Sequence, residues 1–415
     1  MGQPYLLSAR SDFRFLNFNY YGNDRYTNYY LTHSVMLTIA IASGVIWLFL
    51  LLFWGGYWLR LELKPDETKL ESYPTVWVVI PARDEADVIH RSLESILNQD
   101  YPGKLKVVLV DDNSSDSTAT VAQETVDKLG KKEQFYLLNG KPLEIGWKGK
   151  LWALNQGVNY TQSQDKADYF LFTDADIQHH SSNVSELITK AETESLDLVS
   201  LMVLLRSDSF WEKLLIPTFV YFFQQLYPFR LANNPRLPIA AAAGGCILIQ
   251  TKILEDIGGI ASVKTALIDD CTLANKVKSA GGKTWLGLTE NTVSLRPYDT
   301  LDSIWNMVAR TAFDQLSYSW LLLIATVIGM TVVYIIPPVA TIWGLLTGNT
   351  TIASVGFVTW LIMSVTYIPT LRLYKLPLVI AFLLPAIAFI YELMTVDSAI
   401  RHLQGKGGLW KGRTY

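Results

Sequence analysis

The stretch from Ser34 to Leu59 contains no charged residue. It is longer than the roughly 20 apolar residues that carry a helix across a hydrocarbon core. A second uncharged tract runs from Gln315 to Leu371, and half of all residues are hydrophobic, a membrane composition. The first tract is not a cleaved leader, because a mixed polar and aromatic segment (1–33) precedes it and no small-residue cleavage site follows. Residues 34–59 therefore read as an anchor.

The C-terminal membrane region, 316–396, is harder to count. Leu316 to Leu346 and Ile352 to Leu371 each read as a crossing, with Gly348-Asn349-Thr350 as the turn between them. Leu376 to Tyr391 is short, is interrupted by Pro385 and ends at Glu392, so it either spans or dips in and returns. Arg60, Lys64 and Lys69 flank the first span, and Arg401, Lys406, Lys411 and Arg413 lie in a basic tail, 397–415. The excess of positive charge on the cytoplasmic side of membrane proteins places these residues, and the domain between the two tracts, in the cytosol. That placement requires an even number of C-terminal crossings.

A net charge of −3 with acids and bases interspersed offers no basic face, so nucleic acid is not a partner. Cys246 and Cys271, the only cysteines, form no Cys-x-x-Cys pair and stand near no His cluster, which argues against disulfide and zinc sites.

Between the tracts, over residues 73–300, charge returns and short β-branched runs alternate with helical patterns, the signature of an α/β domain. Val76 to Ile80 and Lys106 to Val110 read as buried parallel strands separated by a helix over about residues 87–97. Phe135 to Leu138, Tyr169 to Phe172 and Leu198 to Met202 continue the alternation. A nucleotide would bind at the carboxyl ends of such strands. The aromatic segment 209–231, broken by Pro217, reads as a helix lying in the membrane interface. Ile304, Trp305, Val308 and Phe313 give a second amphipathic stretch over 301–315.

Four acidic sites fall where strands end. Asp111 and Asp112 close the second strand, where a carboxylate can hold a base edge or a ribose hydroxyl; the same residues also suit a turn. Asp174 and Asp176 follow an apolar strand. Two residues apart on an extended segment, they would face one hard cation and the diphosphate it bridges, with Asp176 the direct ligand. Asp269 and Asp270 begin a helix after the small-residue run Ala240 to Gly245. One of them can serve as general base for an acceptor hydroxyl, or the pair can simply favour a helix N-terminus. Pro81, Ala82, Arg83 and Glu85 sit on the turn after the first strand.

In this order the motifs resemble glycosyltransferase family 2, over about residues 74–315. Val79-Ile80-Pro81-Ala82-Arg83-Asp84-Glu85 is similar to the family's opening strand and turn, and Asp111-Asp112 to its uracil-binding pair. Gly149-Lys150-Leu151-Trp152-Ala153-Leu154-Asn155 resembles the segment beside the donor, which brings in Lys150 and Asn155. Asp174 and Asp176 fall on the metal-binding Asp-x-Asp, and Asp270 falls on the catalytic base. The resemblance implies a GT-A fold (a Rossmann-like mixed sheet), a nucleotide-diphosphate sugar donor, preferably a UDP-sugar, a Mg2+ or Mn2+ cofactor and inversion at the anomeric carbon. Gly146-Trp147 and the tail Trp410-Lys411-Gly412-Arg413 are similar to hopanoid-associated glycosyltransferases and ceramide glucosyltransferase-like proteins, which implies a membrane lipid acceptor.

Met307-Val308-Ala309-Arg310-Thr311 keeps one Arg of the Gln/His-x-x-Arg-Trp signature of processive synthases but lacks both flanking residues. Arg310 is accordingly a candidate partner for the leaving diphosphate. A processive polysaccharide synthase is the rival on the same scaffold. A non-catalytic membrane scaffold or transporter subunit is the rival of another class, with little support because no ionisable residue stands out in the spans.

Overall fold

The computed structural model describes residues 20–64 and 68–405, with side chains from Tyr29 onward. Most of the 1–33 segment and the tail residues Lys406, Trp410, Lys411, Gly412 and Arg413 lie outside the described residues. The strands are β1 (Val76–Ala82), β2 (Leu105–Asp111), β3 (Phe135–Asn139), β4 (Tyr169–Thr173), β5 (Ile177–Gln178), β6 (Leu198–Leu204), β7 (Cys246–Gln250) and β8 (Thr284–Ser294). They form one sheet in the order β3-β2-β1-β4-β7-β6-β8-β5. β3, β2, β1 and β4 run parallel, β7 is antiparallel to β4 and β6, and β6 pairs parallel with β8. It is a mixed sheet of the kind the resemblance implies.

Every residue of β1 is buried, because both faces of the sheet are covered. Val76, Val78 and Ile80 pack with Ile89, Leu93 and Ile96 of the helix Ile89–Leu97. Trp77 and Val79 pack on the other face with Leu151, Leu154 and Val158 of the helix Gly149–Gln162 and with Leu273 and Val277 of the helix Asp269–Ser279. Gly157 sets how closely the first of these lies on the sheet. A Cβ there would come within 2.4 Å of Val79 Cγ1, which fixes where Lys150, at the head of that helix, projects.

The segment 209–231 folds as the helix Phe210–Leu226 followed by the turn Phe229–Ala232. Its N-terminus is a capping box: Ser209 Oγ accepts from Glu212 N at 3.1 Å while Glu212 Oε2 accepts from Ser209 N at 2.8 Å. The helix does not lie open along an interface. Leu215, Ile216, Val220 and Tyr221 are buried between the catalytic domain and the membrane helices. Its hydroxyls explain why: Tyr221 Oη meets Tyr57 Oη at 2.9 Å and Thr366 Oγ1 at 2.8 Å, Thr218 Oγ1 meets Tyr367 Oη at 2.7 Å, and Tyr391 Oη donates to Leu215 O at 2.8 Å. Polar groups spaced this way need partners on neighbouring helices.

Tyr29–Phe53, Trp320–Thr347, Thr350–Leu373 and Leu378–Leu403 are each long and apolar enough to cross a bilayer. The second is interrupted by a π-helical turn over Thr331–Ile335, just before Pro337 and Pro338. Pro337 has no N–H for the Val333 carbonyl, and the Trp47 indole donates to that carbonyl instead, at 2.7 Å. The next two helices meet closely through small residues, a Cβ on Gly344 falling 2.3 Å from Ala353 N. Between them Gly348 adopts φ 70° and Asn349 Oδ1 accepts from Ile352 N at 3.1 Å, which makes the turn expected there.

The last candidate span begins and ends on the same side. Leu373 and Tyr374 pack with Met202, Leu215 and Ile216 at the catalytic domain. The 3-10 stretch Leu378–Leu383 then carries the chain inward to Trp360, whose indole donates to Phe382 O at 3.3 Å. The helix Leu384–Leu403 returns, with Trp305 Nε1 donating to Asp397 at 2.6 Å, Phe313 N donating to Ser398 at 3.0 Å and His402 stacked on Tyr318 at 4.4 Å. By composition this helix would span; by its contacts it dips in and comes back. Among the described residues that leaves two C-terminal helices, Trp320–Thr347 and Thr350–Leu373, running from one end of the bundle to the other. The dip also brings an ionisable group among the helices: Glu392 is buried and accepts from Thr331 Oγ1 at 3.0 Å, contrary to the reading that no such group stands out.

This topology predicts the accessibility of single cysteines, against a silent background because Cys246 and Cys271 are both buried. In sealed vesicles, Lys375→Cys and Arg401→Cys should react with a membrane-impermeant maleimide from one side, and Asn349→Cys only from the other. Reaction of Arg401→Cys with Asn349→Cys on one side would mean that the last helix crosses.

Candidate active site

The register of the parallel strands brings the acidic sites together. Ala82 lies opposite Asp111 and Val79 opposite Phe172, so the turns after β1, β2 and β4 share one edge of the sheet. On the first turn, Arg83 Nη1 donates to Asp112 O at 2.6 Å and lies 4.0 Å from Asp112 Oδ2. Asp112 is fully buried. Asp111 does different work: its carboxylate accepts from the Ser114 hydroxyl and from Ser114 N, closing the turn rather than facing the cleft. Asp84, in the left-handed region at φ 52°, accepts from Ser115 N at 2.6 Å and ties the two turns together.

Asp174 and Asp176 are not extended. They occupy a tight turn between β4 and β5, with Ile177 N donating to Asp174 O at 3.3 Å, and this turn aims the two carboxylates at different cations. Asp174 Oδ1 accepts from Lys150 Nζ at 2.8 Å. Asp176, 5% exposed, accepts from Arg296 Nε at 2.7 Å, and the same guanidinium reaches Glu85 through Nη2 at 2.5 Å. Arg296 follows β8, whose pairing with β5 and whose bond from Leu295 N to Asp176 O deliver it to this turn. Sequence reading missed it, since one basic residue after a long strand forms no pattern.

Asp269 and Asp270 open the helix as expected. Asp270 Oδ2 accepts from Gly244 N at 2.8 Å and Oδ1 from Cys271 N at 2.7 Å, while Lys150 Nζ lies 3.6 Å from Asp269. Gly244 explains the small-residue run, since a Cβ there would come 3.1 Å from Lys150 Nζ and 3.4 Å from Asp270 Oδ2. Burial raises the Asp270 carboxyl to about 6 and Asp269 adds to the rise, opposed by Lys150 and the two N–H donors. Burial would lower Lys150, but Asp174, Asp269 and Asp270 hold it protonated, above its ordinary value. Lys150, Asp174, Asp269 and Asp270 line one cleft with Pro81 and Gly244. Ala82 stays in the strand, its carbonyl accepting from Asp112 N at 2.8 Å. Asn155, farther along the helix from Lys150, hydrogen-bonds none of these carboxylates.

The membrane junction lies close to Asp270. Tyr227 Oη pairs with the Gln315 amide at 2.8 Å, and its pKa is raised by burial and by the neighbouring Cys271 thiol and Asp270 carboxylate. Arg310 is exposed. Burial raises the Tyr298 hydroxyl, opposed by the positive charges of Arg296 and Arg310 and aided by Asp176 and Asp174. Tyr298 N donates to Glu212 at 2.7 Å, and Glu212 also accepts from the N–H groups of Asp208 and Ser209.

The family described as Glycosyl transferase family 2 matches residues 77–258. Those residues are a family 2 glycosyltransferase domain. The chain is 32% identical over 145 residues to the probable glycosyltransferase YdaM of Bacillus subtilis, covering 33% of each chain. It is 29% identical to the beta-monoglucosyldiacylglycerol synthase of Trichormus variabilis, over 34% of this chain and 29% of that one. It spans about a third of these relatives' length. Among solved structures, the mannosyltransferase PcManGT from Pyrobaculum calidifontis, in complex with GDP-Man and Mn2+, aligns with a TM-score of 0.52 at 19% identity. The alignment covers 89% of this chain and 99% of that one and extends the shared fold beyond the catalytic domain.

Within the glycosyltransferase domain the charge arrangement predicts a pH profile. A base that works as a carboxylate gains activity as pH rises through its pKa, so turnover should climb through about pH 6 and then level. Lys150→Met removes a positive charge that lowers the Asp270 pKa, so the acidic limb should move to higher pH beyond any loss of rate. A limb that stays in place in the variant would detach it from Asp270.

Proposed function

We propose that the chain is an integral-membrane, inverting glycosyltransferase that passes a sugar from a nucleoside-diphosphate sugar to a hydroxyl of a membrane lipid, with its catalytic domain in the cytosol. One observation carries the reading: Asp270, in the cleft, acts electrostatically on Tyr227, whose hydroxyl pairs with Gln315 at the end of the short helix that precedes the first C-terminal crossing. An acceptor hydroxyl arriving from the bilayer would enter beside the base. The beta-monoglucosyldiacylglycerol synthase relative, and an undecaprenyl-phosphate 4-deoxy-4-formamido-L-arabinose transferase of Edwardsiella ictaluri that is 31% identical over 140 residues, support a lipid acceptor by their names. Arg60, Lys64, Arg372, Lys375 and Arg401 all stand at the catalytic end of the bundle, which supports a cytosolic domain.

In this reading Asp112 and Arg83, with the turn that Asp111 closes, hold the nucleoside, and Pro81 lines the floor of the cleft. Lys150 and Asp174 flank the sugar. Asp270 takes the proton of the acceptor hydroxyl as its oxygen bonds the anomeric carbon, the bond to the diphosphate breaks and the nucleoside diphosphate leaves. Asp269 tunes Asp270 by its charge, and Arg310 meets the departing diphosphate.

A divalent ion, Mg2+ or Mn2+, fits the donor set. Among the described residues no three His, Cys, Asp or Glu side chains converge; Asp176 would supply one carboxylate, enough for a site completed by phosphate oxygens and water, and Asp174, now turned to Lys150, is the second candidate ligand. Bound there, the ion would neutralise charge on the leaving diphosphate.

Membranes incubated with radiolabelled UDP-sugars, and with GDP-mannose in parallel, should yield one discrete labelled lipid on extraction; polymer would favour a processive synthase. Asp270→Asn should lower transfer by about a thousandfold, within the usual range for a general base, and leave nucleotide binding near wild type. Retained transfer in this variant would remove Asp270 as the base.

A further inference from the structure

Glu85 and Asp176 are two largely buried carboxylates that share one partner, with side chains 10% and 7% exposed. Two anions so placed cannot both stay charged without a cation between them. Arg296 is that cation. Its Nε and Nη2 reach Asp176 and Glu85 at 2.7 and 2.5 Å, an arrangement that needs the planar fork of a guanidinium and that an ammonium would not reproduce. The backbone keeps it there: Leu295 N donates to Asp176 O at 2.7 Å and Tyr298 N is fixed on Glu212, so the residues on both sides of Arg296 are tied to the framework. The candidate metal ligand is thus already neutralised by a residue of the chain itself.

We propose that Arg296 is the resident counter-ion of Asp176 and that it couples entry of the divalent ion to entry of the diphosphate. The inference rests on the glycosyltransferase reading. A divalent ion alone gains little at Asp176, because it must displace a guanidinium that serves two carboxylates at once. A nucleoside diphosphate brings phosphate oxygens on which the guanidinium can close, and Asp176 is then released to the ion that the phosphates also bind. Coupling of this kind is reciprocal, so each ligand raises the affinity for the other by the same factor. Arg296 is in these terms a positioning residue for the metal and a direct contact of the diphosphate.

The test is a binding measurement on the purified full-length chain in detergent, following free Mn2+ by electron paramagnetic resonance with and without UDP or GDP. Wild type should bind Mn2+ weakly alone and much more tightly with the nucleotide that fits. Arg296→Gln should bind Mn2+ alone about tenfold more tightly than wild type, bind the nucleotide about tenfold more weakly, and show a coupling factor near one. Arg296→Lys, which keeps the charge and loses the fork, should fall between them. A thermal melt and size-exclusion profile of both variants establish that they fold. If one variant fails to fold, the other decides. Unchanged Mn2+ affinity in the nucleotide-free variants, or full coupling without the guanidinium, would overturn the proposal. Failure of wild type to bind either nucleotide would instead count against the glycosyltransferase reading, while the Mn2+-only arm still decides the role of Arg296.

Discussion

Carboxylates gathered at one edge of a buried sheet repel each other, and the site is organised around two cations that offset this. Lys150 serves Asp174, Asp269 and, through space, Asp270; Arg296 serves Asp176 and Glu85. Each cation reaches its place by a different route. Lys150 stands at the head of a helix whose distance from the sheet is set by Gly157. Arg296 comes off the end of β8, held by its pairing with β5. The two clusters are thereby charge-balanced separately, which leaves Asp270 the member pushed toward neutrality, with burial and Asp269 acting together against Lys150. A carboxylate with a pKa near the working pH is suited to take a proton, whereas Asp176 is fixed on a guanidinium.

The second organising feature is how rigidly the catalytic domain is joined to the membrane helices. Glu212 accepts three backbone N–H groups, from Asp208, Ser209 and Tyr298, and although burial alone would raise its pKa, these donors and Arg206 hold it below the ordinary value. It thus ties the helix Phe210–Leu226 to the segment that carries Arg296. The same helix is fastened on its other side to Tyr57, Thr366, Tyr367 and Tyr391. Position in the bilayer and position of the cleft are therefore set by one element. A reacting group must be held to within a fraction of an ångström to be effective, and a soft joint between membrane and domain would not hold it.

Much of the framework was legible in the sequence because it obeys short-range rules. Val76 to Ile80 and Lys106 to Val110 are continuous apolar runs and became central parallel strands; Asp269 and Asp270 began a helix; Gly348 and Asn349 made a turn. The strands β7 and β8 were not foreseen, because their pairing joins residues far apart in the chain and their sequences carry no strict alternation. The Asp174-x-Asp176 geometry was misread for a related reason: β5 begins immediately after Asp176, and its pairing with β8 forces a turn where an extended run was expected. Arg296 was invisible on the same account, being placed by that pairing. Asp111 and Asp112 were seen together, but only the hydrogen bonds of Ser114 separate the turn-former from its buried neighbour.

The return of the last helix was undecidable from hydropathy, and the reason is instructive. Leu378 to Leu403 is as apolar as a span, and hydropathy measures whether a segment tolerates lipid without registering where its ends go. What decides it is a set of polar contacts near its C-terminal end: Asp397 with Trp305, Ser398 with Phe313 N, and Arg401 with Asn306 at 2.7 Å. All three partners lie on the amphipathic stretch that precedes the first crossing. Carrying Asp397 and Arg401 across the bilayer would cost several kcal/mol each near its centre, whereas keeping them at the catalytic face gives each a partner. The same contacts brace the stretch that leads to Gln315, which pairs with Tyr227 near Asp270. The fold thus places its charges where the bilayer permits them, and that placement also supports the junction beside Asp270, on which the proposed route of a membrane acceptor depends.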